Sequence, residues 1–253
     1  VGCFIFNDLK NISQDQINEI KKLLNKFGVI FFKNQNLNPK QYVDFSSNFG
    51  VPAKYPMLKP HKDFKNIYII ERKKTDTGKS FGEGPHTDSS YLENPPRFTF
   101  LQAVDVPEEG KGNTLFFNQF LAYKSLPKNI KEKIENLKGI FSSKGKIAKT
   151  RLLREAEHGT SDIKEIKSEH NLVQNIDGKK AIYCSPGHVV GIKNLKSGQK
   201  KLISFLSSHQ TKKVFSYSFG WKKGDIALWS NRSMLHAATA FSGDRRMFRI
   251  TIQ

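Results

Sequence analysis

Apolar residues recur at helical spacing at Ile17, Ile20, Leu23 and Leu24. Ser13 precedes them as a candidate N-cap, and Gly28 follows as a residue type that closes helices. This predicts a first amphipathic helix. An uninterrupted apolar run at 29–32 is too short for a helix and predicts a buried strand. Asn38 and Pro39 open a second helix with proline in its first turn, a stripe of Tyr42, Phe45 and Phe49, and Gly50 at its end. Residues 67–70 predict another buried strand. Residues 73–84 are polar and glycine-bearing, which predicts a loop running straight into His86-Thr87-Asp88.

Strands are predicted at 98–103 and 114–117, and short helices at 120–126 and 129–137. Asp177-Gly178, between runs at 172–176 and 180–184, is a two-residue hairpin signal. Leu202, Ile203, Phe205 and Leu206 mark an amphipathic helix over 199–209, and strands follow at 214–219, 226–229 and 246–252. Residues 142–169 are charged, poor in apolar positions and without a period, which predicts a mobile lid. No repeat, linker or break in composition divides the chain, so a single domain over 1–253 is expected. Its strand-rich second half, with Gly-Asp and Asp-Gly turns, favours a sandwich or jelly roll.

The 253 residues can bury a sizeable core, and 20 phenylalanines make it aromatic-rich. No run of 18 apolar residues exists, so no membrane partner is expected. Cys3 and Cys184 are too few for a disulfide scaffold and suit free thiols in a reducing compartment, so a cytoplasmic location is expected. The net charge of +19 comes from lysines scattered along the whole chain, without a dense basic block or a nucleic-acid motif. Such a surface attracts small anions and gives no ground to expect a nucleic-acid partner.

His86 and Asp88 stand two apart, so on extended backbone they share a face. His236 closes the segment Trp229-Ser230-Asn231-Arg232-Ser233-Met234-Leu235-His236. Two histidines and a carboxylate are the protein ligands of a non-haem Fe(II) centre that keeps three coordination positions open. Each part has an ordinary alternative: a polar surface turn for the first pair, a hydrogen-bonded core histidine for His236. Arg245 and Arg249 share a face of the last strand. Facing inward they would hold an acid co-substrate through charge-assisted hydrogen bonds, and facing outward they would be a solvated pair.

Several motifs occur in order. His86-Thr87-Asp88 is followed by Glu93-Asn94-Pro95-Pro96-Arg97, by Gly110 and Thr114-Leu115, and by the Gly178-Lys179-Lys180 hairpin. Asn231-Arg232 with His236, and Arg245 with Arg249-Ile250-Thr251, complete the set. Over residues 4–253 the chain resembles the taurine dioxygenase and 2,4-D dioxygenase (TauD/TfdA) family of Fe(II)/2-oxoglutarate-dependent oxygenases. The resemblance implies a double-stranded β-helix, or jelly roll, with peripheral helices. It implies His86, Asp88 and His236 as iron ligands and catalytic centre, and Thr114 and Arg245 as holders of the distal carboxylate of 2-oxoglutarate. Arg249 would lie near the iron-bound carboxylate and the anionic end of the substrate. The implied reaction consumes O2 and 2-oxoglutarate, releases succinate and CO2, and hydroxylates a substrate C–H bond. Asp88 argues for hydroxylation, because halogenases of the family lack this carboxylate and bind halide in its place.

The departures from the family pattern gather on the substrate side. Ser230 replaces the aspartate of the usual Trp-Asp-Asn-Arg. Tyr55 falls where taurine enzymes carry a sulfonate-binding histidine, Gly82 replaces an asparagine, and His188 replaces an apolar residue unless it faces solvent at a hairpin end. Tyr55, Gly82, His188 and Arg249 are therefore the candidate substrate-binding residues, and taurine is not the expected substrate. The expected partner is a small anionic molecule, and a homo-oligomer is left open. Two alternatives carry different expectations. A 2-oxoglutarate-dependent nucleic-acid demethylase of the AlkB type would end in R-x-N-x-T-x-R, which residues 245–251 do not match. A non-catalytic jelly-roll binding protein would have no need of intact metal and keto-acid residues.

Overall fold

The computed structural model describes residues 1–55, 58, 60–107, 110–148 and 164–253. Strand β1 (Cys3–Ile5) leads to α1 (Gln14–Phe27), β2 (Val29–Phe32), α2 (Pro39–Ser47) and β3 (Tyr68–Arg72). The middle of the chain holds β4 (Phe98–Asp105), β5 (Thr114–Asn118), α3 (Gln119–Lys124), α4 (Lys128–Ile134), β6 (Lys138–Ser142) and β7 (Lys167–Asn171). It closes with β8 (Val173–Ile176), β9 (Lys179–Ile182), β10 (Val189–Ile192), α5 (Gln199–Gln210), β11 (Ser216–Phe219), β12 (Ile226–Ser230), β13 (Met234–Ala238) and β14 (Arg245–Ile252).

Local chemistry explains the helix boundaries. Ser13 and Gln16 form a reciprocal capping box at the start of α1, and Asn38 and Gln41 form another at α2, with Pro39 in the first turn. Gly28 ends α1 in the left-handed region at φ 80°, its N–H bonded to the Leu24 carbonyl. A Cβ there would sit 2.7 Å from Met234 Sδ. Gly28→Ala is expected to cost about 1–3 kcal/mol, from the left-handed backbone and the crowding together. A denaturant titration checks this, and an unchanged midpoint would refute it.

Six strands form one sheet in the order β1-β2-β12-β4-β14-β3, and β11-β5-β13 form a second. The period-two alternation of strand side chains decides what each face meets. Ile30, Phe32, Phe100, Ile226, Leu228, Ile250 and Ile252 pack with Ile17, Ile20, Leu24, Tyr42 and Phe45 of α1 and α2. Their neighbours Val29, Phe31, Leu101, Ala103, Ala227, Trp229 and Met247 pack instead with Phe116, Phe219 and Met234 of the second sheet. The apolar run at 29–32 is thus buried on both faces, as its composition predicts. The result is a two-sheet jelly-roll sandwich with helices outside the larger sheet. A third sheet, β10-β6-β7, and the β8-β9 hairpin flank it.

Asp177 and Gly178, at φ 49° and 79°, make the predicted hairpin turn. The strand predicted at 214–219 begins instead as a 3-10 turn, Lys213–Phe215, and only then becomes β11. The lid expected over 142–169 is built into the fold at both ends: Ser142 closes β6, β7 covers 167–169, and Ser143 N–H bonds the Ile166 carbonyl at 2.9 Å. Residues 149–163 of that stretch lie outside the described residues. Among the described residues no helix is long and apolar enough to cross a membrane.

Candidate active site

The site lies between the two sheets. His236 is in the middle of β13, opposite Phe116 of β5. The segment before His86 runs alongside β13, with Ala238 N–H bonded to the Gly82 carbonyl, and His86 and His236 exchange backbone hydrogen bonds of 3.0 and 2.8 Å. That exchange puts the imidazole centroids 4.3 Å apart. The chain then turns away from the strand. The Thr87 hydroxyl donates to the Asn231 carbonyl at 2.6 Å, and Ser89 adopts a positive φ of 49°. Asp88 Oδ1 comes to 3.9 Å from His86 Nε2 and 3.7 Å from His236 Nε2.

These three side chains, each offering one ligand atom, lie within 4.8 Å of one another and fit a divalent metal ion. Burial lowers the pKa of His86, and burial first, then the neighbouring His86, pushes His236 down to about 3. Both rings are therefore neutral and carry a lone pair. The His86 Nδ1–H donates to the Gly84 carbonyl at 2.9 Å, which leaves Nε2 as the free donor atom. Burial alone would raise the Asp88 carboxyl, but Arg249 and the other groups around it outweigh burial and hold it well below the ordinary carboxylate range. Two neutral imidazoles and one carboxylate are the donor set of a non-haem iron centre.

A hydrogen-bonded relay fixes the carboxylate. Trp229 Nε1 donates to Asn231 Oδ1 at 3.1 Å, Asn231 Nδ2 donates to Thr99 Oγ1 at 2.9 Å, and Thr99 Oγ1 donates to Asp88 Oδ2 at 2.7 Å. Asp88 can therefore present only Oδ1 to the histidines, the kind of support that orients metal ligands. Thr99 carries no sequence signal for this role. Asn231 stands out in sequence only as a motif letter.

Two cavities open onto this centre, and they share Phe81, Gly82, His86 and Asp88 as a common wall. The first and larger is bounded by Thr114, Arg245, Arg249, Leu101 and Trp229. The second is bounded by Tyr55, Ser89, Ile147 and His188. The structure thus places Thr114 and Arg245 on one side of the histidine–aspartate cluster, and Tyr55 and His188 on the other. Gly82, at φ 80°, faces both, and a Cβ there would stand 3.5 Å from the His86 ring.

Arg245 and Arg249 both face inward with Met247 between them on that face, while Arg246 is exposed on the other. Arg245 is buried with Nε and Nη2 unpartnered, and burial lowers its pKa to about 10. Thr114 Oγ1 accepts a 3.0 Å hydrogen bond from Trp221 Nε1, so its remaining capacity is directed elsewhere. For Arg249, burial works against the charge, and Asp88 together with Tyr55 and Tyr91 outweighs it. Arg249 Nη2 stands 2.9 Å from Asp88 Oδ1, an ion pair without hydrogen-bond alignment, and the guanidinium lies 4.4 Å from the Tyr55 ring centroid. Arg249 borders the first cavity and Tyr55 the second, so the stacked pair spans both. His188 does not face solvent. It is 3% exposed, with its ring 5.1 Å from Tyr91 and 6.2 Å from His86.

A family model described as "Taurine catabolism dioxygenase TauD, TfdA family" matches residues 4–251. The chain is 26% identical over 94% of its length to pentalenolactone F synthase of Streptomyces avermitilis, 85% of which is covered. It is 25% identical over 95% of its length to the alpha-ketoglutarate-dependent 2,4-dichlorophenoxyacetate dioxygenase of Cupriavidus pinatubonensis, 89% of which is covered. A solved taurine dioxygenase from Burkholderia xenovorans superposes with a TM-score of 0.83 at 25% identity, over 100% of this chain and 87% of that one.

Proposed function

The chain belongs to the TauD/TfdA family of Fe(II)- and 2-oxoglutarate-dependent dioxygenases, and from that premise we propose how its own residues divide the work. His86, Asp88 and His236 hold the iron. Thr114 and Arg245 hold the distal carboxylate of 2-oxoglutarate in the larger cavity, and the cavity beside Tyr55 and His188 takes a small anionic organic substrate. The observation that carries this assignment is the separation of the two groups of residues across one shared wall of ligands. Co-substrate and substrate then approach the same metal from different sides without competing for space.

Bound at this site, iron supplies the activation of O2 that couples loss of CO2 from 2-oxoglutarate to hydroxylation of a substrate C–H bond. The chain contributes position, charge and exclusion of water. Thr99 and Asn231 hold Asp88 in one orientation. Phe81, Leu101 and Trp229 give the co-substrate cavity apolar walls, which strengthens the ionic contacts made at its end. Arg249 is a buried cation stacked on Tyr55, whose side chain borders the substrate cavity, so an anionic substrate group meets a positive field there. The +19 net charge steers small anions towards the protein as a whole. The relative from Cupriavidus is named for a carboxylate substrate, in line with an anionic substrate for this chain.

The test is a panel of small carboxylates, sulfonates, phosphonates and their neutral isosteres, incubated with 2-oxoglutarate, ascorbate and Fe(II). Stimulated succinate release with charged members, and none with neutral apolar ones, is the expected result. Stimulation by neutral members alone would sink the anionic assignment. A buried imidazole on the substrate wall should also set selectivity, because it offers a hydrogen bond that a phenyl ring lacks. His188→Phe is expected to shift preference among the active substrates while leaving substrate-independent decarboxylation of 2-oxoglutarate intact. If kcat/KM is unchanged for every substrate tested, His188 does not contact the substrate.

A further inference from the structure

Behind Arg245 lies a small cavity that the co-substrate site does not account for. Arg72, Arg245, Ser80 and Phe241 border it, and it shares Ile70, Phe81 and Arg245 with the larger cavity at the metal. Arg72 on β3 is directly opposite Arg245 on β14 in the antiparallel register, so the two side chains leave the sheet on the same face. Each guanidinium lies 5.6 Å from the Phe241 ring centroid. They are 9% and 6% exposed, and neither has a carboxylate partner among the described residues. Glu71, the next residue on β3, also borders the cavity, but its carboxylate is engaged by Arg246.

Like charges placed directly opposite each other on a sheet repel. Buried charges are kept only where something compensates them. Arg72 donates through Nη2 to the carbonyls of Asp76 and Gly78, which satisfies hydrogen bonds and leaves its charge uncompensated. Arg72 Nε, Arg245 Nε and Nη2, and Ser80 Oγ are all buried without a partner. Several orphaned donors and two net charges therefore gather in the cavity behind Arg245, which adjoins the co-substrate cavity through Ile70, Phe81 and Arg245. An anion is the one kind of group that answers all of them.

We propose that Arg72 is a second cationic residue of the co-substrate site, acting with Arg245 and Ser80 on the distal carboxylate of the keto acid. This rests on the assignment of Arg245 to that carboxylate. It makes the doubly charged end of the cavity the feature that demands a dicarboxylate. It also means that the keto acid is the counter-charge relieving the Arg72–Arg245 repulsion, so the co-substrate stabilises the fold as well as entering the reaction.

The experiment is calorimetric titration of 2-oxoglutarate into the Mn(II)-loaded protein, with thermal melting of each variant in the absence of keto acid. Arg72→Gln is expected to weaken 2-oxoglutarate by roughly 10-fold or more, the scale of a lost hydrogen bond to a charged group. Arg72→Lys, which keeps the charge and loses the planar fork, should retain part of the affinity. Without keto acid, Arg72→Gln should melt no lower than the parent, because one of two repelling charges is gone and the amide can still donate to Asp76 or Gly78. A 2-oxoglutarate affinity within about twofold of the parent in Arg72→Gln, alongside a large loss in Arg245→Ala, would overturn the proposal and leave the Arg245 assignment standing. No loss in Arg245→Ala would remove that assignment and the proposal with it. Weakened binding together with a lower melting temperature without keto acid would make Arg72 a loop anchor, and the proposal would fall.

Discussion

Alanine in place of His86, Asp88 or His236 is expected to abolish turnover and to weaken metal binding by well over 100-fold. Losing a group that merely supports a metal ligand already costs about 10- to 100-fold, and each of these changes removes one of three protein donors. The three variants should differ in stability. His86 and His236 are neutral in the fold and belong to none of the large apolar clusters, so His86→Ala and His236→Ala should melt close to the parent. Asp88 is the anion beside buried Arg249. Asp88→Ala leaves that guanidinium uncompensated, and removing one partner of a buried pair costs about 3–5 kcal/mol. Titration with Mn(II), succinate release and thermal melting read the three effects separately. A variant that binds metal and turns over like the parent would remove its residue from the ligand set. An Asp88→Ala protein as stable as the histidine variants would show that Arg249 is compensated by something other than Asp88.

The large elements were legible because each carries its own local signal. Ser13 and Gly28 bracket α1 in sequence as they do in space, and Asn38-Pro39 marks the start of α2 before any partner is known. The central strands β2, β4, β12 and β14 are apolar enough to stand out alone. Strands β1, β6, β7, β10 and β13 carry no comparable signal, for a common reason. They are three to five residues long, and their order comes from a neighbour that is distant in sequence. In β7, Lys-Ser-Glu-His-Asn, exposed and half-buried positions alternate with no fully buried residue, so no hydrophobic pattern exists to find. Strand β13 is the instructive case. His236 was identified by chemistry and motif order, yet the strand that carries it is defined by pairing to β5 across more than a hundred residues.

The site divides the same way. The candidate ligands His86, Asp88 and His236 could be named from residue types, because few side chains bind iron and the candidates stand in a recognisable order. The supporting residues could not. Thr99 is one threonine in a strand, and Asn231, 132 residues away, reaches it only because β12 pairs with β4. Trp221 fixes Thr114 across 107 residues. Arg72 resembles any lysine or arginine of a basic chain until the β3–β14 register sets it against Arg245. The inward or outward choice for Arg245 and Arg249 was also beyond the sequence, since alternation gives a shared face and not its direction. Pairing with β3 and β4 on either side, and the packing of Met247 between the sheets, turn that face inward.

Arg245→Ala is expected to raise the 2-oxoglutarate requirement by roughly 10- to 150-fold, the equivalent of about 1.5–3 kcal/mol for a hydrogen bond to a charged group, while changing the KM of the main substrate far less. The asymmetry follows from the geometry. Arg245 borders the cavity that contains Thr114 and is absent from the wall that contains Tyr55 and His188. Arg245→Lys should recover only part of the loss, because an ammonium cannot present two parallel donors to a carboxylate. Stability should move in the opposite direction to affinity. The Arg245 Nε and Nη2 atoms are buried with no partner, and burial already works against its charge, so removing the group relieves a cost in the protein without keto acid. An Arg245→Ala protein should therefore melt at or above the parent when no keto acid is present, and gain much less on adding 2-oxoglutarate, because stabilisation by a ligand tracks its affinity. Steady-state kinetics with 2-oxoglutarate varied, and melting curves with and without it, test both halves. An unchanged dependence on 2-oxoglutarate would refute the arginine assignment. An equal rise in both Michaelis constants would show that Arg245 shapes the whole cleft instead of one end of it.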